Sequence, residues 1–284
     1  MMEAMLRALA EYKYLTVSHI IALEISKSKD KSRKYFLELM KEWLVGRQIH
    51  LAVTENAKRK GFLQRTRQEY LRYLTKQGAN FLDGHTELDL PNIRYPKKPK
   101  RWLKNDYFHR VSTIFIHISW NKWVEESNGS ENNFLVYYDQ RKQSKAKRFE
   151  AETRLDLYWG KHFTPDVICS FKDQNGKYKL FCLEVYNGNN VGYVCSQLEK
   201  LFWILENTNK IENRIGVDVT PRILVVFDNE SLLQKTTKRL QTNQNFRVHG
   251  IEQLLFFNLD ERVWLEFHSF REALDSNSDH ISLN

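Results

Sequence analysis

The amino-acid sequence predicts an α+β protein of two units: a helix-rich N-terminal unit closed by two short strands, and a mixed α/β unit assembled round a β-hairpin. Three observations carry that prediction. Apolar residues early in the chain recur at helical spacing, in Ala4–Ala10 and again at Tyr35-Phe36 and Leu39-Met40. The run PNIRYPKKPKR, Pro91 to Arg101, holds three prolines and five basic residues in eleven positions, so it is neither helix nor central strand. Further on, Val167–Phe171 and Tyr178–Tyr186 flank Asn175-Gly176, the strongest short-range hairpin signal. The division that follows is a first unit over 1–88, a basic linker over 89–104, a second unit over 105–275 and a flexible tail over 276–284.

Composition sets the outer bounds. A chain of 284 residues, 42% apolar and 13% aromatic, is long enough to bury two cores and is not disordered in composition. No stretch reaches the length of a membrane span, and MMEAMLRALAEYKYL lacks the apolar core of a signal peptide. A cytoplasmic location and no membrane partner are therefore expected. Cys169, Cys182 and Cys195 are odd in number and lack paired metal spacing, which points to buried, reduced thiols. The net charge of +9 favours an anionic partner, nucleic acid first.

Within the first unit, Thr16 is placed to cap a short helix that buries His19 or Ile20 and Leu23. After the polar turn Ser26–Ser32, a second helix runs from about Ser32 to Trp43, with Tyr35-Phe36, Leu39-Met40 and Trp43 on one face. Gly46 is expected at its C′ position. Ile49–Val53 and Tyr70–Leu74 read as strands on either side of a basic tip, Glu55–Arg67, and Leu74–Leu82 closes the unit as a capped helical turn. Helix, helix, helix, strand, basic tip, strand is the order of a winged helix-turn-helix, whose later helix enters the major groove of double-stranded DNA. The recognition helix then carries Lys31, Arg33, Lys34, Glu38 and Lys41, and the wing carries Lys58, Arg59, Lys60, Arg65 and Arg67. A solvated helix face and a charged loop have the same composition, and winged domains also serve as protein-interaction modules.

In the second unit, Asp106 is placed to cap a helix reaching about Glu126, with Phe108, Val111, Ile114-Phe115 and Ile118 inward. Phe134–Tyr138 reads as a strand, Gln140–Arg148 as a charged loop and Thr153–Tyr158 as a short strand or turn. The hairpin strands follow. A helix from about Val191 to Leu205 buries Val194, Leu198, Leu201-Phe202 and Leu205, and RILVVF, Arg222–Phe227, has the pattern of a strand buried on both faces. Ser231–Leu240 is a helix and Ile251–Phe257 a short one, with late strands at Phe246–Val248 and Arg262–Phe267. The resulting αβββαβ order matches the core of the restriction-endonuclease-like fold.

The hairpin puts Asp166 at the start of one strand and Glu184 near the end of its partner, where the two carboxylates converge. Paired carboxylates on a rigid sheet suit Mg²⁺, which takes oxygen ligands, activates a water and stabilises a phosphoryl oxygen. Two solvated strand-end acids have the same spacing. The arrangement resembles the PD-(D/E)xK nuclease core: Pro165-Asp166, a hairpin, then Glu184-Val185-Tyr186. The resemblance implies Asp166 and Glu184 as catalytic residues and metal ligands, with Mg²⁺ as cofactor if the site is active. It departs at Tyr186, where that family has Lys; a tyrosine carries no charge at pH 7. In that superfamily the missing Lys is also supplied by the next helix, which makes Lys200 the group that positions the water and Gln197 the phosphate contact. Both are otherwise plain exposed helix residues.

Read along its full length, the chain resembles the replication-relaxation family of plasmid and mobile-element proteins. The likeness lies in Leu74-Thr75-Lys76-Gln77-Gly78, in Phe108-His109-Arg110-Val111, and in Thr164-Pro165-Asp166 followed by Leu183-Glu184-Val185. It continues in Leu198–Leu201 and in Ile251–Trp264, which ends in Val263-Trp264. After Glu-Val that family commonly continues Asp-Arg-Gly, where this chain has Tyr186-Asn187-Gly188. The resemblance implies a double-stranded DNA partner and a role in replication control, DNA relaxation or mobilisation, with other replication or mobilisation proteins as further partners. The second unit is then nuclease-like but degenerate, a docking or dimerisation surface, with a homodimer as one assembly. Three alternatives stand beside this: an active Mg²⁺-dependent endonuclease or nickase, a winged-helix transcriptional regulator, and a protein adaptor at a mobilisation complex.

Overall fold

A computed structural model describes residues 1–48, 69–85, 93, 95–96, 107–142, 149–156, 162–206, 219, 222–227, 230–242 and 254–258. The chain divides into two compact units, Met1–Ile118 and Ser119–Asn284. The division falls inside the helix Tyr107–Glu126, later than the proline-rich run suggests. The reason is packing: the first part of that helix sets His117 edge-on to Tyr12, ring centroids 4.7 Å apart, and Phe115 edge-on to His19 at 4.1 Å.

The first unit opens with α1, Met2–Tyr12, whose stripe Met5, Leu6, Leu9 and Tyr12 is buried at helical spacing. Leu15 then makes an antiparallel bridge to Arg72. Thr16 caps α2, Val17–Ala22, through a reciprocal box. The His19 amide donates to Thr16 Oγ1 at 3.2 Å, and the Thr16 amide donates to His19 Nδ1 at 2.9 Å. Histidine thus stands where Glu or Gln usually closes such a box.

Ser28 caps α3, Lys29–Lys41, a few residues before the expected start. Phe36 and Leu39 are buried as expected, but Trp43 is not on that face: it lies past the helix end at φ 58 and is 74% exposed. The left-handed turn that ends this helix therefore falls at Trp43 rather than at Gly46, which is already in a strand. That strand, β1 (Val45–Gln48), pairs antiparallel with β2 (Leu71–Leu74). Ile49–Val53, Glu55–Arg67 and most of the linker lie outside the described residues.

Thr75 then leads into α4, Lys76–His85, its hydroxyl accepting the Gly78 amide at 3.0 Å. Gly78 is required there: a Cβ would sit 2.1 Å from the Leu44 carbonyl oxygen. Leu15, Ile20, Phe36, Leu71, Leu74 and Leu82 complete the core, each such side chain contributing about 1.5–3 kcal/mol by burial.

The helix Tyr107–Glu126, α5, is buried nearly all round rather than on the single expected face. Tyr107, Arg110, Ile114, Ile116, Ile118, Trp120 and Trp123 are buried, while Phe108, Val111 and Phe115 are only partly so.

The strands of the second unit begin with β3 (Ser130–Val136), which starts earlier than the strand expected at Phe134–Tyr138. Part of the expected charged loop is a strand, β4 (Gln140–Lys142), paired with β5 (Phe149–Ala151). A second short pair joins β6 (Leu155–Asp156) to β7 (His162–Phe163). The hairpin supplies β8 (Val167–Lys172) and β9 (Tyr178–Tyr186), and β10 (Arg222–Phe227) and β11 (Leu254–Asn258) follow. Leu254–Phe257, part of the run expected as a short helix, lies in β11, the last strand of the sheet among the described residues, because a short apolar run carries no period that separates buried strand from helix; residues 251–253 lie outside the described residues.

Five of these strands form one mixed sheet in the order β11-β10-β9-β8-β3. β3, β8 and β9 are antiparallel neighbours, whereas β10 is parallel to β9 and β11 to β10. The crossovers are α6 (Val191–Glu206) and α7 (Glu230–Thr242). Alternation along each strand separates the two faces. On one face Trp120 packs against Phe134, Phe171 and Phe181. On the other Ile168, Cys182, Tyr186, Ile223, Val225 and Phe227 meet Val194, Cys195, Leu198 and Leu201 of α6. The hairpin turn forms at Asn175-Gly176, with Gly176 at φ 74 and Asp173 Oδ1 accepting the Asn175 and Lys177 amides at 2.9 Å.

Asp106, Phe246–Val248, Arg262–Phe267 and the tail lie outside the described residues. Among the described residues no helix is long and apolar enough to cross a membrane.

Candidate functional site

Pro165 has no amide to give a ladder, and β8 starts only at Val167. The proline carbonyl is held instead by the buried hydroxyl of Thr153, which donates to Pro165 O at 2.6 Å. The register Val167↔Leu183 and Ile168↔Cys182 places Asp166 one step beyond the ladder, across from Glu184. The Val185 amide donates to Asp166 Oδ2 at 2.8 Å, so one carboxylate oxygen caps the end of the strand pair. The two acids predicted from the hairpin are therefore brought together.

Glu184 shares its strand face with Cys182 and Tyr186, the face covered by α6. It is 7% exposed, and its Oε1 has no hydrogen-bond partner among the described residues. Burial raises its carboxyl well above the usual range; the neighbouring Asp166 charge adds to this, and an Asp166 backbone hydrogen bond opposes it. Glu184 in turn adds to the burial that pushes the Cys182 thiol up to about 12. Tyr186, two residues on from Glu184, is 6% exposed, and its hydroxyl likewise has no partner among the described residues. Burial raises its phenol, with Glu184 and Asp166 adding to the effect. Tyr193 on α6 lies edge-on to Tyr186 at 6.5 Å, 56% exposed, and feels both acids.

Lys200 and Gln197 fare differently from the acids. The buried stripe of α6 is Val194, Cys195, Leu198 and Leu201. Lys200 lies on its exposed side and Gln197 is half-buried at the flank. Tyr193 and Thr153 were not singled out from the sequence. A hydroxyl that holds a proline carbonyl from a separate hairpin leaves no local signal, whereas Tyr193, near the start of the helix after the acid strand, is legible by position.

Two carboxylates with one orphaned oxygen fit a hard cation in donor chemistry, since Mg²⁺ is commonly held by one or two carboxylates and completes its shell with water and phosphate. Among the described residues no group of three or more His, Cys, Asp or Glu is placed to hold a metal.

On the first unit, Lys31, Arg33, Lys34 and Lys41 all lie on the exposed side of α3, and Glu38 is half-buried. Arg33 is tied to Asp30 at 2.7 Å. Lys58, Arg59, Lys60, Arg65 and Arg67 lie outside the described residues. Comparison with protein-family models, with curated proteins and with solved structures finds no match.

Proposed function

We propose that this chain is a DNA-binding protein whose first unit is a winged helix and whose second is a restriction-endonuclease-like domain. One observation carries the reading. The path α1, Leu15 bridge, α2, α3, β1, β2, α4 places a strand residue between the first two helices and bridges it to Arg72 of the β1–β2 ladder. That order supports a winged-helix reading, and α3, the helix that such modules set in the major groove, carries exposed lysines. The resemblance described above adds the setting: replication control, relaxation or mobilisation of plasmid or mobile-element DNA. The test is binding of the full chain to duplex DNA across a salt series. A steep fall of affinity with salt supports phosphate contacts; no binding to any duplex at low salt overturns the reading.

A second reading, a Mg²⁺-dependent endonuclease, is favoured by the juxtaposition of Asp166 and Glu184 and by the orphaned Glu184 oxygen. Asp166 and Glu184 would hold the ion, which when bound supplies Lewis-acid activation of a water and stabilisation of a phosphoryl oxygen. Tyr186 offers a neutral donor where those nucleases have a cation, so binding is favoured over cutting. Nicking of supercoiled plasmid in Mg²⁺, lost in both Asp166→Ala and Glu184→Ala, would establish the nuclease. Intact plasmid with Mg²⁺ and with Mn²⁺ would remove it.

A further inference from the structure

The β1–β2 ladder brings two like charges together. Its register sets Arg47 directly across from Arg72. Both peptide groups of Arg72 face the other way: its amide donates to Leu15 O at 2.8 Å, and its carbonyl accepts the Leu15 amide at 2.9 Å. Arg47 and Arg72 are therefore a non-hydrogen-bonded pair, the kind with Cα atoms about 4.5 Å apart and side chains closest. Like charges so placed are destabilising unless something offsets them.

The surroundings of the pair supply little negative charge. Among the described residues neither guanidinium is ion-paired to a carboxylate. Arg72 is 8% exposed, lies over the Phe36 ring at 4.3 Å and donates from Nη1 to Tyr70 O at 2.9 Å. Its buried Nε has no partner among the described residues. Glu69, the acid adjoining the pair, accepts the Ser18 amide at 2.9 Å. Burial lowers the Arg72 guanidinium to about 10; the Glu69 charge opposes this, and the Arg47 and Arg33 charges add to it. Arg47 is exposed, and its guanidinium lies 4.7 Å over the ring of Tyr70, a residue 38% exposed. A buried charge is normally paired with an opposite one. Here a second positive charge stands beside it, on the open side, against an exposed ring.

We propose that Arg47, steadied on Tyr70 and backed by the Arg72 charge, binds a phosphodiester at the edge of the β1–β2 ladder beside α3. The planar fork of Arg47 matches two phosphate oxygens. The bound anion offsets the repulsion that the register imposes. Arg72, with its Nε buried, is a positioning charge and not a direct contact. That the phosphodiester belongs to duplex DNA rests on the DNA-binding reading; capture of a phosphate group by Arg47 does not.

Two measurements on the full chain test this. The first follows the thermal midpoint in inorganic phosphate and in chloride at matched ionic strength. Phosphate should give the parent a saturable rise, as a ligand of the folded state does. Arg47→Gln, at an exposed position, should lose that rise, and Arg7→Gln, exposed on α1, should keep it. The second is the salt dependence of duplex affinity. Arg47→Gln should make the slope shallower by about 0.9 and weaken low-salt binding about tenfold. Arg47→Lys keeps the charge and so the slope, but should lose about threefold for the missing fork. Tyr70→Phe should match the parent, and Tyr70→Ala should lose about threefold. A phosphate response that is absent from the parent or survives Arg47→Gln overturns the site, as does a duplex slope unchanged by Arg47→Gln. A phosphate response lost in Arg47→Gln, in a chain that binds no duplex, supports the site and removes the DNA reading, leaving a free phosphoryl ligand.

Discussion

Replacing Lys31 and Lys34 together with glutamine is the sharpest probe of the first unit. Both side chains are exposed on α3, so the double variant should fold with a stability change within about 0.5 kcal/mol per site. Each phosphate neutralised contributes about 0.9 to the slope of log affinity against log salt, so losing two makes the slope shallower by about 1.8. Over a fourfold rise in salt, from about 50 to about 200 mM, the variant should lose about twelvefold less affinity than the parent chain. Arg33→Gln should change the slope less, because its guanidinium is already tied to Asp30 at 2.7 Å. The assay is fluorescence anisotropy of a labelled duplex, titrated with full chain at five or so salt concentrations. Parallel slopes for parent and double variant would refute the placement of α3 against phosphates. A uniform loss with no change of slope would refute it equally, since counterion release would then not involve these lysines.

Other predictions concern the fold and the acid pair. Glu184→Gln should raise the denaturation midpoint at alkaline pH and leave it nearly unchanged at acid pH. The raised carboxyl of Glu184 means the folded state keeps its proton longer, so stability falls as pH rises from the ordinary carboxylate range through the folded value. The amide removes that slope; an unchanged slope in the variant would contradict the burial argument. His117, packed against Tyr12 and held down to about 3 by desolvation, works in the opposite sense. Its contribution is complete above the usual histidine value and is lost as pH falls from about 6.5 toward about 3. His117→Phe should flatten the acid limb of a stability–pH curve measured by urea unfolding. Gly78→Ala should cost about 3 kcal/mol, the upper end for overpacking, because the atom in the way is the Leu44 backbone carbonyl at 2.1 Å and not a side chain that can rotate. A midpoint within a degree of the parent would show that β1 and α4 separate freely.

Much of this architecture is local chemistry and is legible without coordinates. Thr16 before an apolar helical pattern, Asn175-Gly176 between two apolar runs, and RILVVF between turns each specify their element through nearest neighbours alone. The hairpin signal brings Asp166 and Glu184 to the same end of the strand pair, but the register that sets them opposite one another follows from the loop Asp173–Lys177 and not from the apolar pattern, because both strands are buried on both faces. What needed the folded chain was everything that depends on distant partners. Trp43 was exposed because the left-handed residue ending α3 fell there and not at Gly46, a choice made by the β1–β2 ladder. Leu254–Phe257 became a strand because β10 offered a parallel edge. Lys200 turned outward because Val194, Leu198 and Leu201 claimed the inner face of α6. Periodicity reports which residues want to be buried; only the assembled sheet and helices decide against what, and which charges are left facing the same space.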